Sequence, residues 1–379
     1  MVATYIEASD GDWADVRAER MRRQRLVGEP FATPPDVVDL LGAVQAQEYV
    51  DAGWALAQRS AGEVTAADVG ALVGSGELLR THVLRPTWHF VRPADARWML
   101  ELTGPRVIRT MGSAWRATGL DDPAELTNVL DAVADALADG DHLTRKDLAE
   151  RLEQRGVDTA KRISFITLRA ELERVVISGA PQGKQQTFAA FDDRVPASAP
   201  LDHDEAVARL AGRYLLGHGP ATPHDLSWWG GITVGDARRG FEACGAASFE
   251  REGLTYWGVG GFDSQARSTS GGDGLGSHLL PPYDEYLISY KNRQVVDASE
   301  DFVREPMEGI FFWGLATDDG RVVGGWKWPR PKRKADPVVL TLTMLVPTPA
   351  DLRERFAHQA DRFSRYLGQP VELTLEEPA

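Results

Sequence analysis

An α+β fold is predicted by three features of the sequence. Residues 121 to 191 and residues 201 to 258 each run through the order helix, short helix, helix, hairpin. The first 120 residues carry compatible helices and end in a strand pair, and beyond residue 279 strand-like segments surround one long helix. Helix, short helix, helix, hairpin is the order of a winged helix. The prediction is therefore three tandem winged-helix units, at 1–120, 121–200 and 201–263, then a Gly/Ser-rich loop at 264–278 and a C-terminal mixed α/β region at 279–379. Element order carries this reading, since the units share no internal sequence identity.

In the first unit, Thr33-Pro34-Pro35-Asp36 supplies an N-cap, a proline at the first helical position and an acid at the third. Val37, Leu40, Leu41 and Val44 keep the spacing of one helical face, which predicts a helix to about Gln47 with that stripe inward. A second helix follows from Asp51 to about Ser60. Leu78 to Val91 is rich in Leu, Val, Thr, Trp and Phe and reads as extended, with Pro86 marking a kink or turn.

The second unit opens at Asp121-Asp122-Pro123, continues with a short helix capped by Thr144 and a basic helix from Lys161 to Ile177, and closes on the strand-like Gln186 to Phe191. The third has a helix over 204 to 217, a short helix capped by Thr222 with Pro223 and Asp225, a helix over 234 to 242, and a hairpin ending in Leu254 to Gly258. Ser264 to Ser277 is poor in apolar residues and rich in glycine and serine, the composition of a linker or mobile loop. Its glycines do not make a dinucleotide loop, because no strand precedes them and Pro281-Pro282 forbids the helix that should follow. Strands are then expected at 309 to 316, 321 to 328, 337 to 346 and 371 to 375, with a helix from Pro349 to about Leu367. The stretch Trp326 to Asp336, basic and proline-containing, reads as a projecting hairpin.

Composition narrows the function. With 379 residues and 43% hydrophobic content, the chain can bury proper cores in two or three domains. The N-terminus lacks a basic and apolar leader, and no window of about 18 apolar residues occurs, so a cytoplasmic location without membrane contact is expected. The single cysteine, Cys244, excludes an internal disulfide and a thiolate-rich metal cluster. A net charge of −14 argues against coating nucleic acid through bulk charge. Cations are nevertheless concentrated locally: Arg17 to Arg25 holds five arginines against Glu19, and 321 to 334 holds Arg321, Lys327, Arg330, Lys332, Arg333 and Lys334 with no acid. Trp326 and Trp328 interleave with the second run, a pairing of aromatic faces and cations that suits nucleic acid.

Two motifs carry the chemistry. Gln45-Ala46-Gln47 offers two amides that align water and charge without titrating. The run Arg80 to Val91 places His82, Arg85, Thr87 and His89 inside an otherwise apolar segment, where polar groups require partners. His82, Arg85, Thr87 and His89 are the candidates for a pocket wall, with strand alternation placing Arg85, Thr87 and His89 on one face. His82 and His89 are seven apart and fall on opposite faces of a strand, so no shared metal is expected. Patterns for metalloproteases, serine hydrolases and phosphate loops are missing. Tyr283, Asp284, Glu285 and Tyr286 form a further acidic and aromatic cluster that borders the same cleft or braces an interface.

Over nearly its whole length the chain resembles the AlkZ/YcaQ group of winged-helix DNA glycosylases, bacterial enzymes that remove bulky alkylated purines and unhook interstrand crosslinks. The resemblance rests on Gln45-Ala46-Gln47 and Arg80 to Val91, and on His218 to Thr222, Asp225 to Gly231, Leu279 to Arg293 and Val322 to Lys327 in that order. It implies Gln45 and Gln47 as catalytic residues and a monomer without metal or cofactor acting on damaged double-stranded DNA at the nucleoid; Tyr283 and Asp284 join the candidates for the pocket wall. The hairpin residues Trp326, Lys327, Trp328, Arg330, Lys332, Arg333 and Lys334 are then DNA-binding. Glutamine at position 47, where one branch of the group has aspartate, places the chain nearer the branch associated with self-resistance in antibiotic producers.

Physical chemistry supports two glutamines. A purine alkylated at N7 or N3 is already cationic and leaves without a strong general acid. What remains is to support an oxocarbenium-like sugar and to orient water at C1′, which amide carbonyls can do. On a helix, residues two apart point about 200° away from each other, so both amides share one site only where the helix ends. Two rival readings exist. One is a tandem winged-helix transcription regulator reading bases through Lys161, Arg162, Arg169 and Arg174; the other is a protein that sequesters a genotoxin directly.

Overall fold

A computed structural model describes residues 13–260, 274–296, 313–330 and 337–377. The architecture is mixed α/β, and one order of elements recurs. A helix α1 (Ala14–Arg23) precedes the first set: α2 (Pro34–Leu41), β1 (Val44–Gln45), α3 (Tyr49–Arg59), α4 (Ala66–Ser75), β2 (Leu79–His82) and β3 (Trp88–Val91). Its sheet order is β1-β3-β2. After α5 (Pro93–Thr110) and α6 (Gly112–Thr118), the second set repeats that order with α7 (Pro123–Leu137), β4 (Leu143–Thr144), α8 (Arg145–Gln154), α9 (Ile163–Leu172), β5 (Val176–Ser178) and β6 (Thr187–Ala190), in sheet order β4-β6-β5. A short helix α10 (Phe191–Arg194) leads to the third set: α11 (His203–His218), α12 (Pro223–Gly230), α13 (Val234–Ala243), β7 (Ala247–Arg251) and β8 (Leu254–Gly258). There the first strand is reduced to one bridge, Ala221 to Trp257.

Beyond lie β9 (Ser277–Leu280), α14 (Glu285–Ile288), β10 (Gly314–Asp318), β11 (Arg321–Lys327), β12 (Val338–Met344), α15 (Ala350–Leu367) and β13 (Val371–Glu376). The five strands form one sheet ordered β13-β12-β11-β10-β9. Only β12 and β13 run parallel, because α15 carries the chain back between them. The sheet and α15 share a core with α3 through Trp54, Trp326 and Phe363, and both indoles meet the Phe363 ring at 5.3 Å. The C-terminal region is thereby fastened to the element that follows the glutamine motif.

Several expectations change. The first helix does not reach Gln47: Gly42, at φ +80, takes the left-handed conformation that suits glycine and closes the helix by donating to Val38 O. The predicted helix 161–177 ends at Leu172, and the β-branched Val175-Val176-Ile177 instead enters the strand β5. Arginines 17 to 25 are not an open cationic patch. Arg20 is buried, donates to Pro220 O at 2.8 and 3.0 Å and stacks on Tyr290, while Arg22 and Arg23 pair with Glu19. Residues 264–273 of the Gly/Ser-rich loop lie outside the described residues.

Candidate active site

The glutamine motif sits on the edge strand of the first sheet. In β1, Gln45 pairs with His89, and the Ala46 N–H continues the ladder by donating to Trp88 O at 2.7 Å. Gln45 ends that strand and Gln47 lies in the bend just beyond it, so the motif is not helical and the helical obstacle disappears. Gln45 is buried and Gln47 half-buried.

Three charged side chains hold the motif. Arg80, from β2, donates to Ala46 O at 2.9 Å and to Gln47 O at 3.2 Å while its guanidinium lies 4.1 Å above the Trp88 ring. Burial lowers its pKa to about 10, which leaves it charged near neutrality. Arg85 donates from Nη2 to Gln45 Oε1 at 3.0 Å and so fixes the orientation of that amide. Glu285 accepts from the Gln45 N–H at 2.7 Å.

The sequence placed Glu285 in a cluster that borders the cleft or braces an interface, without tying it to the glutamines. Glu285 is 1% exposed, accepts also from Trp229 Nε1 at 2.9 Å and from the Ser289 hydroxyl, and faces His218 Nε2 at 3.4 Å. Burial drives its carboxyl upward, but His218, Ser289 and His89 outweigh that and hold it at about 2. An acid inside the apolar run Leu279 to Tyr290 was the available signal, because a buried carboxylate needs donors. Arg80 likewise stood in the motif run without being singled out.

The expected pocket wall separates into parts. Arg85 and Thr87 lie in the turn between β2 and β3 rather than on one strand face with His89. That turn is strained at Leu84, with φ 65, and Gly231 packs against it closely enough that a Cβ there would lie 2.0 Å from Leu84 O. His89 is fully buried, so it lines no cleft. Its Nδ1 bonds Thr87 O at 2.9 Å, which assigns the proton to Nδ1, and burial lowers its pKa to about 4. His82 pairs with Glu171 of α9, across the boundary between the first two sets, and its ring lies 4.5 Å from that of Trp88. Asp284 is also buried: it binds Arg59 through both oxygens at 2.7 and 2.9 Å and caps α14, so it braces an interface. Tyr283 is half-buried at φ 62.

The basic hairpin also divides. Trp326 points into the core and donates to Leu280 O at 2.7 Å, which removes it from any nucleic-acid contact. Lys327 is exposed, with its ammonium 4.6 Å from the Trp313 ring. Trp328 Nε1 donates to Asp51 at 2.7 Å, and Arg330 binds Asp51 at 3.0 Å and Glu48 at 3.6 Å, so the base of the hairpin is tied to the start of α3. Burial raises the Asp51 carboxyl, opposed first by the Trp328 bond. Lys332, Arg333 and Lys334 lie outside the described residues. Among the described residues, no helix is long and apolar enough to cross a membrane, and no group of three His, Cys, Asp or Glu is placed to hold a metal ion.

Comparison with known proteins places the chain as a whole. The family described as DNA glycosylase AlkZ-like matches residues 38–366. An interstrand DNA cross-link repair glycosylase of Streptomyces sahachiroi is 28% identical over 329 residues, covering 83% of this chain and 87% of that protein. The solved structure of Streptomyces sahachiroi DNA glycosylase AlkZ superposes with a TM-score of 0.76 at 26% identity, covering 96% of this chain and 99% of the other. The match spans most of the sequence, and the chain belongs to the AlkZ-like DNA glycosylase family, hydrolases of N-glycosyl bonds.

Proposed function

We propose that this glycosylase hydrolyses the N-glycosidic bond of bulky, cationic N-alkylpurines in double-stranded DNA, including purines joined in interstrand crosslinks, as the name of the Streptomyces relative suggests. The observation that carries the proposal is the immobilisation of a non-titrating motif. Glu285 and Arg80 tie its backbone from two sides, and Arg85 sets the Gln45 amide. Prepaid ordering of this kind favours positioning and electrostatic catalysis over proton transfer.

Gln45, with one carbonyl lone pair engaged by Arg85, supports the developing sugar cation through the other. Arg85 approaches the Gln45 side chain and Glu285 its backbone, so the local field contains both signs. Gln47 orients the attacking water. Its side-chain amide makes no hydrogen bond to another described residue, which leaves it available. The cationic base departs without protonation, and an abasic site remains.

The three recurring sets of elements are read as winged helices, at 1–120, 121–200 and 201–263, whose surfaces clamp phosphates, while the hairpin between β11 and β12 enters a groove. Family membership disfavours a transcription regulator without catalysis. Incubation with an N7-methylguanine duplex tests the proposal: release of free 7-methylguanine with formation of abasic sites supports it, and binding to intact DNA with no base release contradicts it.

A further inference from the structure

We propose that Trp228 is a DNA-contacting residue whose indole stacks on the undamaged base adjoining the damaged nucleotide on the same strand. The inference rests on the glycosylase reading above and adds a contact to the substrate that the glutamines do not make.

Trp228 lies in the last turn of α12 and is 37% exposed, whereas its neighbour Trp229 is fully buried. Its Nε1 donates to Ile288 O at 2.9 Å, which fixes the plane of the ring. The loop after α14 is fastened to the same helix: the N–H groups of Lys291 and Asn292 donate to Asp225 Oδ1 at 2.9 and 3.0 Å, and the Arg293 guanidinium comes to 5.9 Å from the indole. The Arg85 guanidinium lies 5.3 Å from the same ring and donates to Gln45 Oε1 at 3.0 Å. A single guanidinium therefore separates an exposed indole from an amide of the glutamine motif. Successive nucleotides of one strand are about 3.4 Å apart along the duplex axis, so a sugar held at Gln45 brings its neighbours within reach of Trp228.

Charge selects the base. Two guanidiniums beside the indole repel a cationic N-alkylpurine and leave the ring to a neutral, undamaged base. Stacking on an aromatic side chain tolerates any of the four, because each has a π-face. Arg85 also selects the strand. Among the described residues its one side-chain hydrogen bond is to Gln45, and its buried Nε has no partner. Its charge draws the phosphate next to the damaged nucleotide, and the base joined through that phosphate is the neighbour on the same strand rather than the base opposite. On a chain with a net charge of −14, an indole between two arginines is a local exception, and it stands beside the glutamines.

The test is a cycle between the indole and the base it is proposed to touch. Wild type, Trp228→Ala and Trp228→Leu, the last filling the space without a ring, act at subsaturating enzyme on three N7-methylguanine duplexes. One is otherwise intact; in the others a tetrahydrofuran abasic analogue replaces the 5′ or the 3′ neighbour of the lesion. The quantity read is the ratio of wild-type to variant excision rate on each duplex, and the variant that retains the wild-type thermal midpoint decides the matter. On the intact duplex the variant is expected to be slower by about tenfold or more, the scale of one base stacked on an aromatic side chain. On one of the neighbour-less duplexes that difference is expected to shrink to about twofold or less, because no base remains to stack. An equal loss on all three duplexes means that Trp228 serves only the protein, through Arg85, and overturns the proposal, as does the absence of any loss on the intact duplex. Both results leave the glycosylase reading standing. Failure of the wild type to release 7-methylguanine overturns both.

Discussion

Glu285→Gln keeps the shape of the side chain and removes its charge. The native carboxylate accepts from the Gln45 N–H, Trp229 Nε1 and the Ser289 hydroxyl, and lies 3.4 Å from His218 Nε2. A glutamine offers a single carbonyl oxygen, so at least one buried donor loses its acceptor, at a cost of about 1 to 3 kcal/mol. The proton affinity gives a similar size by a second route. The carboxyl is held at about 2 against an ordinary 4.5, and at about 1.4 kcal/mol for each tenfold change that difference contributes about 3 kcal/mol. Because the folded-state value is depressed, this stabilisation is complete above about pH 4.5 and is lost as the pH falls through about 2. Urea unfolding of both proteins between about pH 7 and about pH 3 measures it. The variant is expected to be less stable by about 3 kcal/mol near neutrality, with a gap that narrows below about pH 4.5. Single-turnover base release should also slow, since the Gln45 backbone is no longer tied. Equal stability near neutrality, or a gap that stays constant into the acid range, refutes the reasoning.

Three further outcomes follow from the same geometry. Gly231→Ala places a methyl on Leu84 O and a side chain at φ +62, so it should lower the thermal midpoint and slow base release by displacing the Arg85 turn; a left-handed alanine alone costs about 1 to 2 kcal/mol. Trp326→Ala should destabilise the fold by about 3 to 5 kcal/mol without changing the DNA affinity of the folded fraction, whereas Lys327→Ala should leave stability intact and reduce the salt dependence of binding by about one phosphate contact, as read by fluorescence anisotropy over a salt series. With His89 held at about 4 and Glu285 at about 2, single-turnover base release should be flat from about pH 5.5 to about pH 8.5, and a bell-shaped profile would reveal a titrating catalyst outside this account.

The sequence was most legible where a local signal acts alone. Thr33 and Asp36 form a capping box, Thr222 and Asp225 form another, and the helices start where those residues predict. It was misleading where two signals competed. Val44 prolonged the apolar period of α2 past Gly42, but Gly42 was itself the stop signal, and the strand pairing of Gln45 with His89 decided the outcome. Long-range partners were the least legible. Nothing near Asp284 in sequence points to Arg59, which is 225 residues away, and nothing near Gln45 points to Glu285, 240 residues away. The tryptophans of the hairpin show the same limit. Trp326, in β11, faces the core, and Trp328, just beyond the strand, packs on the same Phe363 ring while donating to Asp51. Composition could not distinguish these two from a pair of DNA-facing aromatics.

The most direct test of the central claim is single-turnover excision of N7-methylguanine from a duplex by wild type, Gln45→Ala, Gln47→Ala and the double variant, with thermal midpoints measured alongside. If the two amides act together on one site, each single variant loses most of the rate, and the double variant loses little more than the worse single one, as expected for groups that work as a unit. A folded double variant that releases the base at the wild-type rate contradicts the account.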